Sequence, residues 1–179
     1  MTDSGTLYGK SLYDLAVSEN LSDEIMEEME AVSALLSEYP DYVRLLMEPS
    51  IAKKERLALL DEAFGGQIHP YLLNFMKILT ENGLLREFRS CEVCYRGLWY
   101  DAHGITVAQV SSAAPLDSEQ TEKLRDRLET LSGKTVILKT RIDPELLGGV
   151  QVELEGKLYD GTVKGKLSGI RRKLDETVL

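Results

Sequence analysis

The apolar residues of this chain first change period at Gly104, and that change limits the fold more than any other feature. Before Gly104 they recur every three or four residues. Ile25, Met29, Val32 and Leu36 are spaced 4, 3 and 4 apart, and Leu84, Phe88, Cys91, Tyr95, Leu98 and Ala102 run 4, 3, 4, 3, 4. Such stripes lie on one face of a helix turning about every 3.6 residues. After Gly104, ITVAQVSSA, TVILKTRID, GGVQVELEG and GKLYD look like strands, and TVILKTRID alternates as a strand should. A chain of 179 residues with this switch reads as α+β. We expect an N-terminal six-helix bundle over 1–104 and a small mixed α/β domain over 105–179.

Punctuation marks the helices. TLYGKSLYDLAV places Tyr8, Leu12, Leu15 and Ala16 on one face, and Ser22 is a candidate N-cap for the acidic helix that follows. Pro40 stops that helix, and DYVRLLME ends before Pro49. Ser50 is a candidate cap for IAKKERLALLDEAF, which closes at Gly65-Gly66. Pro70 suits the first turn of the fifth helix, which stops at Gly83, and LLREFRSCEVCYRGLWYDAHG then reads as one long helix. In the second half Asp117 and Gln120 have capping-box spacing before a helix with Leu124, Leu128 and Leu131 on one face. A hairpin is expected at Glu155-Gly156, and TVKGKLSGIRRKL is read as a last helix.

Residues 156–169, GKLYDGTVKGKLSG, hold the glycines, lysines and hydroxyls of which phosphate loops are made. The spacing fails. Gly156 and Gly161 are five apart, but Thr162 and Val163 follow where a lysine and a hydroxyl are needed. Gly165-Lys166 is followed by Leu167, and no two of these glycines are two apart, as a dinucleotide loop requires. Turn chemistry and close packing account for them better, so no cofactor is expected. Cys91 and Cys94 are spaced like a redox or metal pair, yet they sit mid-helix and Cys91 continues the apolar stripe. His69 and His103 are distant in sequence, so no metal cluster forms. No nucleophile is paired with a base, and no catalytic residue is proposed.

Charge narrows the partners. The net charge of −9 opposes nucleic-acid binding, because phosphate neutralisation would dominate that affinity. Residues 1–62 carry 14 acidic and 5 basic side chains, and residues 157–173 carry six basic and one acidic. Two such different ends suit two different partners. No apolar run approaches the roughly 20 residues of a membrane span, and the first residues show neither the basic nor the apolar stretch of a secretory signal. The fifth helix, YLLNFMKILTEN, is apolar around most of its circumference. It is either the centre of the bundle or a surface left for a partner.

Several stretches carry a resemblance. Ile142-Asp143-Pro144, Gly148-Gly149-Val150, and Asp160-Gly161-Thr162 followed by a basic helix ending IRRKL resemble the delta subunits of bacterial F-type ATP synthases. These are the counterparts of the mitochondrial oligomycin-sensitivity-conferring protein. YGKSLYDLA near the start and ENGLLREF before the long helix are similar to the same family, and the likeness spans essentially the whole chain.

The resemblance implies a non-catalytic connector of the peripheral stalk that keeps the catalytic head from turning with the rotor. It implies an N-terminal unit holding the N-terminal helix of an alpha subunit between the first and fifth helices. In this sequence those helices offer Tyr8, Leu12 and Leu15, and Leu72, Phe75, Met76 and Leu79. It implies a C-terminal unit gripping the b-subunit dimer, for which Lys164, Lys166, Arg171 and Arg172 are the basic candidates. Membrane contact would come only through the complex, at the cytoplasmic face of a bacterial membrane. Rival readings are a free-standing helical adaptor, and a nucleotide-binding domain disfavoured by the loop spacing.

Overall fold

The structure, a computed structural model, describes residues 3–146 and 148–162. The fold is α+β, with seven α-helices and a four-stranded mixed sheet among the described residues. The chain forms two compact units, Met1–Tyr100 and Asp101–Leu179.

The first unit is helical: α1 (Asp3–Ser18), α2 (Ser22–Glu38), α3 (Pro40–Leu46), α4 (Lys53–Phe64), α5 (Pro70–Glu81) and most of α6 (Phe88–Ala102). Their apolar stripes meet in one core whose fully buried members include Ile25, Met29, Leu46, Leu60, Leu72, Met76, Leu79, Phe88 and Tyr95. Burying each such side chain contributes roughly 1.5–3 kcal/mol, so packing rather than helix propensity holds these short helices. Gly9 shows how closely they approach. A Cβ there would lie 2.5 Å from the Cys91 carbonyl oxygen, so any larger residue would push α1 off α6.

Two caps differ from expectation. Leu21, not Ser22, is the N-cap of α2 and makes no side-chain cap bond; Ser22 is already helical, and its carbonyl accepts from the Tyr95 hydroxyl at 3.0 Å. The N-cap of α4 is Ala52, because the Ser50 hydroxyl is taken by Glu48 at 3.1 Å. Pro40 both ends α2 and opens α3 at a position where its missing N–H costs nothing. The expected sixth helix begins as a separate 3-10 turn at Leu85–Glu87. Its far end also departs from the stripe: Leu98 is only half-buried and Ala102 is exposed.

The second unit follows the strand order β2-β1-β3-β4, with β1 (Ile105–Ser112), β2 (Thr135–Ile142), β3 (Val150–Leu154) and β4 (Lys157–Asp160). β1 and β2 are parallel and are joined through α7 (Ser118–Ser132); the other pairs are antiparallel. The register stacks Ala108 beside Leu154 and Val110 beside Val152 on the core face, where Leu128 of α7 joins them. The opposite face pairs Gln109 with Glu153 and Ser111 with Gln151, so it is polar. Both capping-box bonds of Asp117 and Gln120 are present. Leu124 packs on the core, but Leu131 is 58% exposed and does not continue the face. Glu155 and Gly156 both take positive φ, 50° and 73°, as the expected two-residue hairpin turn between β3 and β4 requires.

Candidate partner-binding surfaces

α5 is fixed from three sides. Pro70 opens it, and His69 caps it, its Nδ1 accepting from the Tyr71 amide at 3.2 Å. The His69 amide in turn donates to both carboxylate oxygens of Glu28 on α2, at 2.9 and 2.8 Å. Along its length Lys77 meets Asp61 at 2.5 Å and Glu81 meets Lys53 at 3.1 Å, tying it to α4. Against α1 it sets Phe75 edge-on to Tyr8, ring centroids 6.5 Å apart.

The seven apolar residues expected on α1 and α5 separate into two groups. Leu12, Leu72, Phe75, Met76 and Leu79 are core residues, none more than 6% exposed. Tyr8 is half-buried and Leu15 is 40% exposed. The apolar surface of these helices also includes Leu7, which sequence reasoning passed over, and Tyr71 and Ile78, which belong to the all-round apolarity of the fifth helix but were not chosen as partner residues; they are 66%, 36% and 38% exposed. Tyr71 and Ile78, seven apart, fall on one line that flanks the buried face of α5, and Leu15 flanks that of α1.

Buried titratable groups in this unit serve structure. Burial, with help from Glu87 and Cys94, pushes the Cys91 thiol up to about 12, far from a reactive thiolate. Burial also raises the Tyr95 hydroxyl, aided by Tyr13 and Asp23. Trp99 Nε1 donates to Asp23 at 2.7 Å, so α6 is tied to the start of α2 by polar contacts as well as packing. Among the described residues no group of three or more His, Cys, Asp or Glu side chains could hold a metal ion.

In the second unit the three short motifs prove to be one construction. The Asp143 amide donates to the Ser112 carbonyl at 2.8 Å, closing the end of β1. Gly161 donates to Val150 O at 2.9 Å, and a Cβ on Gly149, whose φ is +85°, would lie 2.5 Å from Gly161 O. Asp160 Oδ1 accepts from the Thr162 amide at 2.9 Å and from its hydroxyl at 2.6 Å. The motif glycines are there because two backbones touch. Beside them lies a cleft of about 560 Å³ lined by Leu116, Leu124, Arg127, Val150 and neighbouring backbone. Lys164, Lys166, Arg171 and Arg172, with the helix expected around them, lie outside the described residues.

The family model for the ATP synthase delta (OSCP) subunit matches residues 6–174, nearly the whole chain and both units. The chain belongs to the ATP synthase delta (OSCP) subunit family. The delta subunit of Gloeobacter violaceus is 32% identical over 169 residues, covering 93% of this chain and 91% of that one. That of Alkaliphilus metalliredigens is 32% identical over 172 residues, covering 96% of each. A chain in the mitochondrial ATP synthase hexamer of Toxoplasma gondii shares the fold, with a TM-score of 0.71 over 97% of this chain and 98% of that one at 16% identity. As a delta-family member the protein is a non-catalytic peripheral-stalk subunit of ATP synthase. Among its described residues no helix is long and apolar enough to cross a membrane.

Proposed function

We propose that this subunit ties the catalytic head to the b-subunit dimer at the cytoplasmic face of a bacterial membrane, so that rotor torque cannot carry the head round. A stator needs contacts that resist shear, and it needs no active site. In this reading the six helices of the first unit act as one bundle that holds the N-terminal helix of an alpha subunit at the seam of α1 and α5. The second unit, with the basic residues Lys164, Lys166, Arg171 and Arg172, meets the b dimer. The supporting observation is that α1 and α5, besides filling the core, keep apolar side chains outside it: Leu7 and Leu15 on one, Tyr71 and Ile78 on the other. A partner helix with apolar residues one turn apart takes its energy from such anchors.

The placement of the core residues decides the test. Leu12 and Met76 are buried, so a charge there would report on folding rather than binding. Leu15→Asp and Ile78→Asp leave the core intact. Titrating a synthetic alpha-subunit N-terminal peptide against wild type and these variants should show at least about a tenfold loss for each, since one buried apolar side chain contributes roughly 1.5–3 kcal/mol. Folded variants that bind as tightly as wild type would put the alpha site elsewhere.

A further inference from the structure

The face of the first unit formed by α2, α3 and α6 carries features that neither the core nor the α1–α5 seam uses. Two adjoining clefts, of about 410 and 240 Å³, share Ser33, Ser37 and Arg89 and so form one furrow. The floor of the larger is apolar, with Leu36, Val43 and Phe88, and its rim carries Arg44, Arg86 and Arg89 without any carboxylate. The smaller is lined by the small residues Ser33, Ala34 and Ser37, and by Glu30, Glu92, Val93 and Arg96.

Matching the charges leaves a remainder. Glu92 lies 2.8 Å from Arg96, and Arg44 lies 3.2 Å from Asp41. Glu30 lines the smaller cleft as an exposed carboxylate. Arg86 and Arg89, both exposed, pair with no carboxylate among the described residues. This stands out in its setting, since residues 1–100 carry 17 acidic and 9 basic side chains. Two unmatched guanidiniums on the rim of an apolar floor favour an anionic, partly apolar ligand.

The helix above the furrow adds an independent sign. Gly97 lies inside α6, where glycine costs roughly 0.5–1 kcal/mol relative to alanine. A Cβ there would meet nothing within 4 Å, so no contact inside the described structure requires a glycine. Arg89, Val93 and Gly97 follow one another at one-turn spacing, and Val93 is 37% exposed. A bare stretch of backbone in line with an arginine and an exposed valine suits the close approach of another helix.

We propose that this furrow is a second docking site, separate from the α1–α5 seam, for an acidic amphipathic helix. Its carboxylates, one turn apart, meet Arg86 and Arg89. Its apolar face covers Val43, Leu36 and Phe88, and its backbone passes over Gly97. The bidentate fork of arginine suits carboxylates in this arrangement.

The probe is a synthetic amphipathic helix about four turns long, with leucine on one face and glutamate on the other, set beside the same peptide with lysine for glutamate. Each is titrated into the full chain labelled for amide NMR. The glutamate peptide should shift the amides of Ser33, Ser37, Arg89 and Val93, and the lysine peptide should not. The double variant Arg86→Glu/Arg89→Glu should weaken binding at least about tenfold, with affinity in the wild type falling as salt rises. Gly97→Leu should weaken it comparably with every charge kept, and open space at that position lets the variant fold. The proposal is overturned if the glutamate peptide fails to bind, if the lysine peptide binds as well, or if the shifts map to α1 and α5. Shifts confined to α1 and α5 would instead support the seam, so the two readings fail separately.

Discussion

The two units reach order by different means. The first buries a large set of long side chains, from Ile25 and Met29 to Phe88 and Tyr95, and its helices are fixed by how those fit together. The second buries few among its described residues, and none is aromatic or larger than leucine: Ala108, Val110, Leu128, Val136, Val152 and Leu154. Much of its definition comes from the backbone: strand register, a two-residue turn, and the touching chains at Gly149 and Gly161. A unit held by side-chain volume should fail when volume is removed. A unit held by backbone geometry should fail when a Cβ is added.

The largest effect expected from this contrast is Leu72→Ala. Leu72 is fully buried in the first core, and such truncations cost about 2–5 kcal/mol through lost transfer energy and the cavity left behind. In urea, with Trp99 fluorescence reporting on the first unit and amide signals of β1 on the second, only the first transition should move. If both move together, the units share one cooperative core and the contrast is false.

The reverse experiment is Gly149→Ala. An alanine would have to hold φ near +85° with its methyl 2.5 Å from Gly161 O. Strained backbone of this kind costs about 1–3 kcal/mol, and the contact has backbone on both sides, so nothing can swing away. The β1 signals should melt earlier while the Trp99 transition stays in place. An unchanged second transition would mean that the two motifs touch without supporting each other.

What could be read from the sequence follows the same division. Helix positions in the first unit were legible because long amphipathic stripes are their own signal: Ile25, Met29, Val32 and Leu36 predicted one buried face and formed one. The strands and the Glu155-Gly156 turn were legible from alternation and turn chemistry. The caps at Ser22 and Ser50 were misread because a hydroxyl before a helix is also within reach of other partners, and Glu48 took that of Ser50. The exposed Leu7, Leu15, Tyr71 and Ile78 were obscured because both helices are apolar on more than one side, and only packing decides which side turns inward. The furrow at Arg86 and Arg89 had no sequence signal, since residues 33–44 and 85–89, distant in the chain, meet to build it.

The smallest effect tests whether backbone definition extends to helix ends. α7 is the only helix of the second unit among the described residues, and it buries only Leu128 fully. With so little packing, its start depends on the capping box: Asp117 Oδ1 accepts from the Gln120 amide at 2.7 Å, and Gln120 Oε1 accepts from the Asp117 amide at 3.3 Å. Asp117→Ala removes an acceptor for an amide that has no helical partner, which typically costs about 0.5–2 kcal/mol. Asp117→Asn keeps an acceptor and loses only the charge beside the helix N-terminus, so it should recover most of the difference. The measurement is amide exchange over the first turn of α7, which should quicken in Asp117→Ala and stay close to wild type in Asp117→Asn. Were both variants to exchange like wild type, Leu124 and Leu128 packing alone would hold the helix, and the second unit would depend on side chains as the first does.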